Sequence, residues 1–306
     1  MANDRPGFER LLGWTENNLC QGDLGAHLPA WQWGRQDSGS WGVIDSNSAS
    51  DADLWLAYTL GEAGRLWQER RYSELCGLVA ARMLREECAE LPGLGLTLLP
   101  GPQGFALPQG RWRLNPSYSP PQLMAWMARH ADPAPWQRLA DSALKTTLGS
   151  APRGFAGDWT VYDARTGFGP DLEGTDKAQG SYNAIRVYLW AGTLHPQANA
   201  RAELLRALQP MARLVRDSAQ VPESVDIRNG RISGTPPAGF AAALLPFLQA
   251  QQELAALQQQ QARLAAQPMR ADAYYEQALG LFALGWMDGR YRYDADGRLQ
   301  PRWSPA

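Results

Sequence analysis

Cysteine and histidine are scarce, with three of each among 306 residues. Cys20, Cys76 and Cys88 form no Cys-x-x-Cys pair and cannot all pair within the chain, so neither a disulfide framework nor a zinc cage is supported. They read as small buried fillers. His27, His130 and His195 stand far apart without the spacing of a histidine metal site, so no metal or cofactor is expected. No run of about 18 apolar residues occurs, which excludes a membrane span. Charge of one sign is also missing: 29 basic against 31 acidic residues leave a net charge of -2, and no basic cluster offers a footprint for phosphate backbones, which argues against nucleic acid. Hydrophobic residues at 44% are too many for a disordered chain, so the chain is globular. What remains for chemistry is carboxylate.

The excess is aromatic, with 13 tryptophans. Trp55, Trp67, Trp126, Trp190 and Trp286 fall inside helical patterns and read as core. Trp31, Trp33, Trp41 and Trp112 sit among Pro, Gly, Arg and Asn, where core packing and a sugar-stacking platform are both open readings. A flat apolar ring edged by hydrogen-bonding groups matches the C–H face and hydroxyl rim of a sugar.

Apolar spacing is helical through most of the chain. Leu56, Leu60, Ala63 and Trp67 form one buried stripe after Asp53. Further helices are expected over 75–90, 121–130, 135–148, 182–191, 202–215, 239–248 and 271–287, and an exposed one within the Gln/Ala tract 249–267. Strand-like alternation is limited to 226–232 and 290–294. The class is all-α, with helices in pairs joined by alternately short and long loops. This pattern fits a toroid of helical hairpins with the long loops, 91–119 and 149–180, gathered at one functional end. No boundary divides the chain, so residues 1–306 are expected to form one domain.

The densest polar constellation runs from Asp45 to Asp53 and ends where the helical stripe begins. Ser50 or Asp51 is expected to cap that helix, and Asp53 to lie in its first turn, where the helix dipole favours a carboxylate. Capping does not require three carboxylates, Asn47 and three serines within nine residues. Such a run can instead hydrogen-bond sugar hydroxyls and hold one carboxylate against a reacting ring.

The run Asp45-Ser-Asn-Ser-Ala-Ser-Asp-Ala-Asp-Leu-Trp-Leu-Ala57, continuing through Glu62-Ala-Gly-Arg-Leu-Trp67, resembles the signature of glycoside hydrolase family 8, in particular its branch from bacterial cellulose-synthase operons. Matching blocks at Trp14–Leu19, Leu28–Gly34, Asn115–Pro121, Ser181–Tyr188 and Asp272–Tyr275 extend the resemblance over nearly the whole chain. It implies an (α/α)6 barrel, inverting endo-β-1,4-glucanase activity on cellulose or cello-oligosaccharides, a periplasmic or secreted location, and a functional association with a cellulose synthase complex.

Carried over residue by residue, the resemblance makes Asp51 the catalytic aspartate placed against the sugar at the cleavage point. It puts Asn183 and Arg186 one helical turn apart, with Arg186 fixing a carboxylate or hydroxyl through its forked donors. Trp33, Trp41, Tyr118 and Tyr182 are the aromatic platforms expected along the cleft. Two departures stand out. The family's acid-bearing Glu-Gly-Gln-Ser-Tyr segment does not occur in the 306 residues, so the chain is expected to begin just after it, with Met1–Phe8 resembling the end of the helix that should carry the acid, and the ring to be incomplete at its N-terminus. The Asp that serves as general base in some members is Asn183 here, and an amide cannot take a proton from water. Asp163, Asp171, Glu173 and Asp176, in the preceding loop, are the alternative bases. A catalytically inactive glucan-binding protein is the competing reading.

Overall fold

The computed structural model describes residues 1–174 and 177–303. Its framework is helical: α1 (Arg5–Leu19), α2 (Ser50–Leu66), α3 (Arg70–Glu86), α4 (Pro121–His130), α5 (Pro133–Gly149), α6 (Ala184–Thr193), α7 (Arg201–Ser218), α8 (Ala238–Ala250), α9 (Leu254–Ala266) and α10 (Tyr274–Met287). Neighbours in sequence pack as hairpins, α2 on α3, α4 on α5 and α8 on α9, while α6 and α10 both lie against α8.

The helices are of two kinds. In α3 and α7 burial follows one stripe, Tyr72, Cys76, Val79, Ala80 and Met83 in the first and Leu204, Leu208, Met211, Ala212 and Val215 in the second. Each large side chain in such a stripe contributes roughly 1.5–3 kcal/mol by leaving water. Every residue of α8 from Gly239 to Leu248 is buried, as expected of a helix enclosed on all sides. Contact between α6 and α8 is close enough that a Cβ on Gly192 would meet the backbone nitrogen of Phe247 at 2.3 Å, so only glycine fits there. One core cluster surrounds α6 to α10 and another surrounds α2 to α4. Trp55 bridges them, its ring 5.4 Å from Trp190 and 5.0 Å from Phe282. An apolar groove of about 410 Å³ lies between the N-terminal segment with α1 and the face of α2, lined in part by Leu11, Trp55, Phe282 and Trp303.

The strands depart from the sequence reading. The expected strand over 226–232 is a hairpin of β10 (Ser224–Asp226) and β11 (Ile232–Ser233), because Asn229 and Gly230 turn the chain, and β9 (Gln179–Gly180) pairs on its other side. The loops 91–119 and 149–180 contribute a four-stranded antiparallel sheet, β5 (Ala106–Leu107), β6 (Arg111–Leu114), β7 (Thr160–Asp163) and β8 (Gly167–Pro170). Two shorter hairpins are β1 (Gln32–Arg35) with β2 (Trp41–Asp45), and β3 (Cys88–Leu91) with β4 (Gly95–Leu98); β12 (Tyr291–Tyr293) meets β13 (Leu299–Pro301) near the C-terminus. All of these decorate a helical framework. Helix α1 was not anticipated; its N-cap is Asp4, whose side chain accepts from the Gly7 amide at 2.9 Å.

Candidate active site

The segment 45–50 passes from the β1–β2 hairpin into α2 and is pinned at each step. Asp45 accepts from the Asn47 amide at 2.9 Å, the Asn47 side chain donates to the Gln103 carbonyl at 3.1 Å, and the Ser50 amide donates to the Pro100 carbonyl at 3.0 Å. The helix starts differently from expectation. Its N-cap is Ala49, with no side-chain cap, and the Ser50 hydroxyl is buried without a partner. Asp51 does not cap because its carboxylate turns to another element: Oδ2 accepts from Nη1 of Arg186 at 2.9 Å, and Oδ1 from the Ala52 amide at 2.8 Å. About 17% of the Asp51 side chain stays open to solvent. Burial pushes its carboxyl above the usual range, and Arg186 pulls it back.

Arg186 reaches Asp51 because the start of α6 is fixed from the loop before it. Asp158, itself buried, accepts from the backbone amides of Ser181, Asn183 and Ala184 at 2.8, 2.9 and 2.7 Å. One turn further on, Arg186 donates through Nη2 to Oδ1 of Asn183 at 2.6 Å, and its guanidinium carbon lies 5.6 Å from the centre of the Tyr118 ring. The Tyr118 turn is closed by Asn115, whose side chain accepts from the Ser117 amide at 3.0 Å. Asp51, Asn183, Arg186 and Tyr118, four residues named from the sequence, are therefore brought into one cluster. The Asn183 amide oxygen is occupied by arginine, which leaves its NH2 as a donor. Nε of Arg186 is buried without a partner and is a further donor in the same place.

Tyr182 stands beside this cluster, 47% exposed, edge-on to Phe240 at 5.0 Å and 5.9 Å from the Tyr275 ring. Trp33 and Trp41 form a separate aromatic assembly on the β1–β2 hairpin: they stack at 5.1 Å with 23° between planes, and Trp14 of α1 meets Trp33 edge-on at 5.3 Å. Trp41 is 65% exposed, Trp31 55%, and Trp112 is partly buried against Tyr162 in the four-stranded sheet. The three alternative base residues that the structure describes are engaged with arginines. Asp163 lies on β7 with Arg165 at 3.5 Å, which together with the Arg165 amide holds its carboxyl below the usual range. Asp171 is buried on Arg113 at 2.7 Å, Glu173 is exposed on Arg111 at 2.9 Å, and Asp176 lies outside the described residues.

Sequence reading missed Asp158, which carried no pattern in a Gly-rich loop, and Trp159, tilted against Tyr118 at 6.0 Å and stacked on Phe105 at 6.0 Å. It also missed Tyr275, whose hydroxyl donates to the Tyr182 carbonyl and is pushed up to about 12 by burial. Tyr275 could have been found, because it closes the matched block Asp272–Tyr275. Among the described residues no group of three or more His, Cys, Asp or Glu could hold a metal ion, and no helix is long and apolar enough to cross a membrane.

Comparison with known proteins bears on the whole chain. An endoglucanase from Salmonella typhi is 47% identical over 302 residues, covering 99% of this chain and 80% of that protein. One from Xanthomonas axonopodis pv. citri is 46% identical over 305 residues, covering 98% and 78%. The crystal structure of the endo-1,4-D-glucanase from Vibrio fischeri ES114 superposes with a TM-score of 0.90 at 41% identity, covering 99% of this chain and 87% of that one. The fold is thus that of the expected (α/α)6 class. The model of glycosyl hydrolases family 8 matches residues 1–289, and with these relatives it establishes that the chain belongs to that family of glycoside hydrolases.

Proposed function

We propose that residues 1–306 form one catalytic unit that cleaves β-1,4-glucan internally, with inversion, and that Asp51 is the carboxylate set against the sugar at the point of cleavage. The observation that carries this reading is the Asp51–Arg186 contact, in which a carboxylate on α2 and a guanidinium on α6 are held beside Asn183 and Tyr118 with spare donors. The arginine opposes the burial that raises the Asp51 carboxyl, and a negative charge held there stabilises the positive charge that grows on the ring carbon in an oxocarbenium-like transition state. Asn183 and Arg186 donate to ring hydroxyls, and Tyr118, Tyr182 and the Trp33–Trp41 stack offer apolar faces along the chain of sugars. Inversion needs an acid that protonates the leaving oxygen and, ~6.5–9.5 Å from it, a base carboxyl that takes the proton of the attacking water; the resemblance leaves the acid unmatched in residues 1–306 and offers Asp163, Asp171, Glu173 and Asp176 as bases. Resemblance to the branch from cellulose-synthase operons supports a periplasmic or secreted location and association with a cellulose synthase complex. No cofactor is needed.

The competing reading, a glucan-binding protein without catalysis, is favoured by one observation: Asn183 occupies a position where other members carry a base. Proton NMR of a cellohexaose digest tests both. Shortened products appearing first as the α-anomer support inverting cleavage, and β-anomers appearing first would refute inversion. Binding without any product would establish the competing reading.

A further inference from the structure

Beneath Asp51 lies a pair of carboxyl groups to which the reaction assigns no part. Glu87, at the C-terminal end of α3, is fully buried, and Asp53, in the first turn of α2, is 1% exposed. The Ser48 hydroxyl donates to Oε1 of Glu87 at 2.5 Å. Neither Oε2 of Glu87 nor either oxygen of Asp53 accepts a well-formed hydrogen bond among the described residues, although Glu87 and Ser48 both lie close enough to Asp53 to act on its carboxyl. Among the described residues no ion pair reaches either member of the pair. Asp51 is on the same turn of α2, Glu86 next to Glu87 is spent on Arg82 at 2.6 Å, and Cys20 beyond α1 and Cys88 on β3 are thiols that burial pushes up to about 12. Two ionised carboxylates in such a place would repel each other and lack solvation, whereas one proton between them gives each a partner.

The pair is also placed to hold Asp51. Ser48 and Asp53 stand three residues before it and two after it, and both are tied to Glu87. From its other end, the Glu87 carbonyl accepts from the Leu99 amide at 2.7 Å, next to Pro100, which receives the Ser50 amide. We propose that Glu87 is a positioning residue for Asp51: it shares one proton with Asp53, and through that hydrogen bond and Ser48 it fixes the turn from which Asp51 meets Arg186 and the sugar. The proposal rests on the reading of Asp51 as the sugar-side carboxylate.

Burial raises both carboxyls, that of Glu87 from 4.5 to about 7. A carboxyl that binds its proton more tightly in the folded chain stabilises the fold fully below its unfolded pKa, and that contribution is lost as the pH rises through the folded value. Thermal stability is therefore expected to fall from pH 4.5 to about 7 as Glu87 gives up its own proton and the one on Asp53 becomes shared.

The test uses the full chain, labelled with carbon-13 at its carboxyl groups, with NMR and thermal denaturation between pH 4 and 9. The Asp51 resonance is identified by its loss in Asp51→Asn. In the unsubstituted chain a carboxyl of the pair should titrate near 7, the Asp51 resonance should show a second step at the same pH, and the melting temperature should fall across the same interval. Glu87→Gln supplies the shared hydrogen permanently, so it should fold, abolish the second step at Asp51 and flatten the melting temperature. Ser48→Ala removes the donor to Glu87 and should displace the Asp51 resonance at every pH. An unshifted Asp51 resonance in Ser48→Ala, or a second step and a falling melting temperature that persist in Glu87→Gln, would overturn the proposal. These readouts need no turnover. Hydrolysis of cellohexaose by the unsubstituted chain, followed in parallel, decides the glucanase reading separately.

Discussion

The two ends of α2 bury carboxyl groups under opposite conditions. Toward the C-terminal end, Glu62 is saturated: Oε1 accepts from the Trp126 indole at 2.5 Å and Oε2 from Arg65, which also donates to the Leu299 carbonyl at 2.7 Å. At the N-terminal end, Asp51 has one arginine and one backbone amide and stays partly open, while Asp53 depends on a proton shared with Glu87. The functional group and the helix are the same, and the supply of donors and of solvent differs. A carboxylate closed to solvent as Glu62 is, with the Trp126 indole and two Arg65 nitrogens on its oxygens, leaves no room for a ligand, so it serves the fold. One with spare acceptor positions and solvent beside it can meet a substrate.

The largest effect should come from breaking the saturated end. Glu62→Ala strands the Trp126 indole and a half-buried arginine, and should cost ~3 kcal/mol in urea unfolding, less than a fully enclosed pair because about 29% of the Arg65 side chain is exposed. Its kcat per folded molecule should be unchanged, and a selective loss of kcat would erase the contrast between the two ends. At the open end the pattern should invert. Asp51→Asn should lower turnover of cello-oligosaccharides by ~100-fold while stability changes by no more than ~1 kcal/mol, since only the charge is removed from a partly solvated site. Equal turnover of the two proteins would remove Asp51 from the site.

Two smaller effects sharpen the comparison along the cleft. Tyr118→Ala removes the ring under Arg186 and should weaken cellohexaose binding in calorimetry by ~10-fold, in keeping with a stacked aromatic worth roughly 1.5 kcal/mol. Trp41→Ala, at a ring already 65% exposed, should leave the melting temperature unchanged and weaken only longer oligosaccharides, by ~3-fold. A loss as large for cellobiose as for cellohexaose would place Trp41 beside Asp51 instead of at the end of the cleft.

Much of this was legible in the residues. Helical spacing located α4 at its observed limits, 121–130, and α5, α7 and α8 to within a few residues, because a helix declares itself through neighbours three and four apart. The four-stranded sheet was not legible: β6 and β7 are short and pair across almost fifty residues, and four residues carry too little alternation to be read against Gly and Pro. Glu87 was missed for a related reason. In Arg85-Glu-Glu87 it looks like the charged end of a surface helix, and only the packing of α3 against α2 and the segment 46–50 removes it from water.

Composition and spacing determined the helical class and the absence of a charged footprint for nucleic acid, since these depend on residue identity and on periods within a turn or two; the family and the candidacy of Asp51 came from the resemblance of the run 45–67 to a family signature. Tertiary structure decided what each carboxyl does. Asp51 and Arg186 are 135 positions apart, Asp53 and Glu87 belong to different helices, and Glu62 finds Trp126 across the interface between α2 and α4. The state of a carboxylate follows from the donors and the water within a few ångströms of it, and that neighbourhood exists only once distant segments of the chain have packed together.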